Sequence, residues 1–269
     1  MQSFLKRCVL VFAMVVAMVS ATHAWAGSSQ AAGSPALAAE RVASFSKQVE
    51  RELADSGARV AILARTGRPR SELPQGVRYT HVGLAVYSAL TLDNGEVQPG
   101  YAIYNLYQQP HRQDRSQLVQ DYPFDFFAPV PLLRAGVIVP TPELQQRLLQ
   151  VITGPVYRRL HNNRYSVIAN PHNNQRQNCT EFVLNVVQAA LYARDDMAYI
   201  KHSLRDHFRP TKLNTSPLKL MAGAVFSEGI SLRDQGAQVH TATFGSIADY
   251  FRRYGLEQEV MHLDEELQS

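Results

Sequence analysis

Apolar residues recur at helical spacing from Glu40 to Leu53, with Val42, Phe45, Val49 and Leu53 on one side. That spacing predicts an amphipathic helix. Ala58 to Leu63 is a short apolar run and predicts a strand, while the Pro-, Gly- and charge-rich stretch from Gly67 to Gly76 predicts a loop. Tyr79 to Tyr87 alternates. Thr80, Val82, Leu84 and Val86 share one parity; Tyr79, His81, Gly83, Ala85 and Tyr87 share the other. Asp93-Asn94-Gly95 signals a turn, and Tyr101 to Tyr107 alternates again, so the two strands predict a hairpin.

Pro110 to Pro131 is aromatic and punctuated by proline, and reads as an ordered loop over the core. Thr141 can cap a helix with Pro142 at its first position, Glu143 in its first turn and Leu144, Leu148, Leu149 and Ile152 as its stripe. Tyr165 to Ala169 reads as a short strand. Asn178 to Ala193 is the clearest helix, with Phe182, Val183, Val186, Val187, Ala190 and Leu191 forming its apolar face. Asn178 is a good N-cap, and Glu181 three residues on suggests a capping box. Val239 to Phe244 reads as a strand and Ser246 to Tyr254 as a helix.

The N-terminus changes the picture. Lys6 and Arg7 precede an apolar run from Cys8 to Ala21, and Ala24-Trp25-Ala26 offers small residues at a cleavage site. Residues 1–26 therefore read as a secretory signal peptide, too short for a comfortable span, and 27–39 as a flexible leader before a single domain over 40–269. The mature chain is expected in the periplasm or outside the cell, without a transmembrane anchor. Its charge falls to +2, with 25 basic and 23 acidic residues that are scattered rather than blocked. That argues against nucleic-acid binding. Cys8 leaves with the signal, so Cys179 becomes the one cysteine in an oxidising compartment; it is either buried and inert or present for its chemistry.

As the first residue after an N-cap, Cys179 meets the positive end of a helix dipole, which favours a thiolate. It stands three, four and seven residues before Phe182, Val183 and Val186, so it points inward. His81 shares its strand face with the small Gly83 and Ala85, the face expected to receive the helix. Cys179 and His81 then read as nucleophile and general acid/base. A third group should orient the imidazole. A two-residue turn at Asn94-Gly95 pairs His81 with Gln108 and puts Tyr104 on the His81 face; one more loop residue puts Asn105 there instead. The Cys179 backbone N–H is expected in an oxyanion hole, with Gln177 and Asn178 as nearby amides. His172 is a rival base. No cofactor is implied, and one thiol without close Cys or His spacing is a weak metal signal.

The segments His81-Val82-Gly83-Leu84-Ala85-Val86-Tyr87 and Asn178-Cys179-Thr180-Glu181-Phe182-Val183 resemble the circularly permuted papain-like group of the NlpC-type superfamily. That group includes lecithin retinol acyltransferase-like proteins and YiiX-like amidases, and in it the histidine precedes the cysteine, as here. The resemblance implies an α+β fold with a cysteine-bearing helix on a small antiparallel sheet. It implies His81 as base, Cys179 as nucleophile and Asn105, before Leu106, as third residue. The whole chain also resembles a family of secreted proteobacterial proteins grouped as a domain of unknown function. The expected activity is thiol hydrolysis of an amide, with a cell-wall peptide as substrate. Lipid acyl hydrolysis or transfer, and a binding module that keeps the fold without the chemistry, are the alternatives.

Overall fold

A computed structural model of the chain describes residues 36–91, 94–214 and 229–265. The predicted signal peptide, most of the leader and Asp93 of the turn lie outside the described residues.

The centre is β1 (Val60–Arg65), six residues that are all buried. It is flanked on one side by β2 (His81–Thr91), β3 (Val97–Gln109) and β4 (Arg112–Asp121), and on the other by β5 (Arg134–Pro140) and β8 (Glu257–Asp264). The strand order is β4-β3-β2-β1-β5-β8, and every neighbouring pair is antiparallel. A second, two-stranded sheet pairs β6 (Thr211–Lys212) with β7 (His240–Thr241). The fold is α+β as expected, with a larger sheet.

Period-two alternation gives the large sheet two apolar faces. On one face, α1 (Ala39–Asp55) lays Val42, Phe45, Val49 and Leu53 over Ala61, Leu63, Ala85 and Ile103. The short α2 (Pro123–Phe127) adds Phe126 and Phe127 to the same cluster. Each such side chain taken out of water contributes about 2 kcal/mol. On the other face lie α3 (Pro142–Thr153), α4 (Pro155–Arg159) and α5 (Cys179–Tyr192). Leu148, Phe182, Val183 and Val186 pack there on Ile62, Val82, Leu84 and Leu106. Next come α6 (Met197–His207) and α7 (Phe244–Tyr254), whose Leu204 and Phe251 extend the cluster and leave α5 buried on all sides from Cys179 to Ala190.

This arrangement corrects the expected docking face. The cysteine helix packs on the Val82, Leu84 and Val86 side of β2, not on the His81, Gly83 and Ala85 side. The large apolar side chains of α5 find a matching large apolar row. The room left by Gly83 is taken by Asn105 and Ile103 of the neighbouring strand.

Other differences have simple causes. The segment 110–131 holds β4 and α2 rather than a loop. β4 is a polar edge strand and carries no apolar alternation to betray it. Tyr165 to Ala169 forms only an isolated bridge, Tyr165 to Gln177, and the predicted strand over 239–244 shrinks to β7. Asn178 does cap α5, its side chain accepting from the Glu181 N–H at 2.9 Å. The box is not closed, because the Glu181 carboxylate turns to Lys201 Nζ at 2.6 Å. The β2–β3 register pairs Leu84 with Tyr104 and Thr91 with Val97, so five residues rather than two separate the paired ends of the strands. That longer loop puts Asn105 on the His81 face and Tyr104 on the other.

Candidate active site

Arg65 ends β1, His81 begins β2, and the two are register partners. The Tyr107 ring of β3 stacks on the His81 imidazole at 4.7 Å between centroids, nearly parallel. Phe126 of α2 closes the layer, 5.5 Å from the imidazole. Arg65, His81 and Asn105 are fully buried.

The hydrogen bonds fix the imidazole. Asn105 Nδ2 donates to the Ile103 carbonyl at 3.1 Å and to Asp121 Oδ1 at 2.7 Å. Its Oδ1 is therefore the atom that faces His81 Nε2, at 3.0 Å, and it accepts. His81 thus carries its proton on Nε2. Nδ1 is a buried lone pair with no hydrogen-bond partner among the described residues. Burial, followed by the nearby Arg65 charge, holds His81 well below its ordinary 6.5, against the opposing pull of the Asn105 hydrogen bond. The ring is neutral at pH 7.

Asp121 at the end of β4 ties the layer together. Its second oxygen accepts from the Tyr107 hydroxyl at 2.7 Å. Burial pushes its carboxyl up to about 7, opposed by Tyr107, Arg65 and Asn105. The Arg65 guanidinium donates to the Phe126 carbonyl and lies over the Phe126 and Tyr107 rings at 4.9 and 5.5 Å. Burial lowers its pKa, and the negative forms of Tyr107, Asp121 and Cys179 oppose that shift.

Cys179 is the first residue of α5, 3% exposed and not disulfide-bonded. The sulfur lies near enough to Arg65 and Tyr107, the two side chains flanking His81, for a negative charge on it to act on both. No hydrogen bond joins the sulfur to His81 Nδ1; Sγ lies 3.8 Å from the hydroxyl of Thr180. Cys179 and Thr180 precede the first helical bond, from the Phe182 N–H to the Asn178 carbonyl. Their N–H groups therefore have no acceptor within the helix. Cys179 also lines a cleft of about 100 Å³ whose walls include Leu73, Val77, Ile168 and Leu213, with Arg68 and Glu72 beside it.

The other candidates hold different posts. Tyr104 lies on the α5 side, edge-on to Tyr157. Gln108 Nε2 donates to the Gln113 carbonyl. Gln177 is engaged at both ends, by the Asn162 N–H and the Leu160 carbonyl. Asn178 caps α5 and donates to Val167 and Thr241. His172 turns to the Phe208 carbonyl at 3.4 Å. Sequence reasoning missed Arg65, Tyr107 and Asp121. Tyr107 shares the parity of Asn105 and was within reach of the register argument; Arg65 closes an apolar run with no motif around it; Asp121 sits in a segment whose pattern reads as loop.

No curated protein matches the chain, and no solved structure does. Residues 52–251 match a bacterial family described as "Uncharacterized protein conserved in bacteria (DUF2145)". The match spans well over half of the 269 residues, and the chain belongs to that family.

Proposed function

We propose that the protein is an exported cysteine hydrolase of the permuted papain-like kind, an amidase or peptidase acting on a cell-envelope peptide. The observation that carries this reading is the state of His81: Nε2–H is fixed by Asn105, and Nδ1 is a buried, unpartnered lone pair. That is the form a general base must have before it takes a proton. In the reaction, Cys179 Sγ bonds to the amide carbon and its proton passes to His81 Nδ1. The carbonyl electrons move to oxygen, beside the first N–H groups of α5. The amine then leaves with the proton from Nδ1, giving a thioester. Water attacks the thioester, loses its proton to Nδ1 and releases the acid and the thiol.

The apolar walls of the cleft favour a second reading, hydrolysis or transfer of a lipid acyl chain. The purified protein, incubated in parallel with cell-wall muropeptides and phospholipid vesicles, separates the two by mass spectrometry of the products. New amines and carboxylates from the muropeptides, lost in Cys179→Ala and His81→Gln, support the amidase. Free fatty acid alone selects the lipid reading. A folded protein that turns over neither, and whose Cys179→Ala variant rescues a deletion strain, overturns both in favour of a binding module.

A further inference from the structure

We propose that Asp121 is a positioning residue that selects the Nε2–H tautomer of His81 by orienting the side-chain amide of Asn105. The inference rests on the reading of His81 as general base, and it concerns a residue on a different strand from His81 and Asn105.

A carboxamide can face His81 with either end. In this layer its nitrogen end meets two acceptors, the Ile103 carbonyl and Asp121 Oδ1. Turning the amide over would press its oxygen against both and take from Asp121 Oδ1 the N–H it accepts. The carboxylate is the stronger acceptor of the two. Asp121 is not merely a satisfied carboxylate of the sheet. Its two oxygens go to Asn105 and Tyr107, the side chains that bond to and stack on the imidazole. The groups acting on it are Tyr107 and Asn105 of β3, Arg65 of β1 and Asp125 of α2, of which Asp125 opposes its charge. An asparagine at 121 could offer an N–H₂ to Asn105 Oδ1. Asn105 could then turn and donate to Nε2, which moves the His81 proton to Nδ1 and abolishes the base.

Long-range ¹H–¹⁵N spectra of histidine-labelled protein at pH 8 read the tautomer directly, with His81 assigned by its loss in His81→Gln. The wild type should show the Nε2–H form, Asp121→Glu should retain it, and Asp121→Asn should show the Nδ1–H form or a mixture. Asp121→Ser is the second variant if Asp121→Asn does not fold, and it should also give a mixture. An Nδ1–H wild type, or a folded Asp121→Asn or Asp121→Ser with the wild-type spectrum, overturns the proposal. The measurement needs no substrate. Loss of the hydrolase reading, shown by unchanged turnover in Cys179→Ala, would leave the tautomer result standing, and the reverse also holds.

Discussion

Gly83 and Asn105 face each other across β2 and β3 so closely that a Cβ on Gly83 would fall 2.5 Å from Asn105 Oδ1, the atom that accepts from His81. Ile103 stands 3.2 Å from the same point. The glycine is there for space, not for backbone freedom.

Gly83→Ala should therefore displace the Asn105 amide, which three hydrogen bonds hold. A stability loss of about 1–3 kcal/mol is expected, as for other overpacked sites, with His81 losing its single tautomer. Urea denaturation and the histidine spectrum measure the two effects. An alanine variant with wild-type stability and spectrum would contradict the packing described.

Asn178→Ala removes the N-cap bond to Glu181 and two donations that tie the start of α5 to Val167 and Thr241. The expected cost is about 2 kcal/mol, one part cap and one part the donor lost by the part-buried Val167 carbonyl. Alkylation of Cys179 should also speed up as the helix start loosens, which a timed iodoacetamide reaction would follow.

Ala193 ends α5 in the left-handed region at φ 52°, a conformation that penalises a Cβ. It is exposed, so nothing else is lost on substitution. Ala193→Gly should stabilise the protein by about 0.5–1 kcal/mol, read as a higher urea midpoint with unchanged slope. A lower midpoint would show that the end of the helix is set by something other than this strain.

Lys201 Nζ holds Glu181 Oε1 at 2.6 Å, Asn185 Oδ1 at 3.0 Å and the Pro171 carbonyl at 3.2 Å, all out of solvent. Lys201→Met strands the carboxylate and should cost about 3–5 kcal/mol. Adding Glu181→Gln should recover part of that loss, since no charge then remains buried. Equilibrium unfolding of both variants checks this; a single variant costing under about 1 kcal/mol would be incompatible with the pairing.

Stability should depend on pH in opposite senses through His81 and Asp121. His81 stays neutral in the native state while the unfolded chain gains a proton below 6.5. Its contribution therefore falls as pH drops below that value. Asp121 keeps its proton to about 7 in the native state, against 3.8 ordinarily, so raising pH from about 4 to 7 costs stability. The stability of wild type minus Asp121→Asn should accordingly fall over that window. The difference between wild type and His81→Gln should rise toward pH 6.5 and then level off. Unfolding curves between pH 4 and 8 would reveal either slope reversed.

The helices at 39–55, 142–153 and 179–192 were legible from the spacing of their apolar residues, and the last two from their caps as well. Thr141 and Asn178 both bond as their sequence positions suggest. β4 was illegible because an edge strand whose exposed face meets water needs no apolar alternation, and Asp121 went unseen with it. The docking face of α5 was misread for another reason. Small residues on a strand leave room, but a strand neighbour can claim that room before any helix does, as Asn105 does at Gly83. The choice between Tyr104 and Asn105 turned on a loop length that composition does not encode.

β5 pairs with β8 from Arg134 opposite Asp264 to Pro140 opposite Glu257, so its outer edge is filled by a strand more than a hundred residues downstream. A chain interrupted before residue 257 would hold a formed core beside a bare ribbon of N–H and C=O groups, ready to recruit the same ribbon from another molecule. Completing this edge thus sets a race between self-closure and clumping, and clipped or stalled copies should be the insoluble ones.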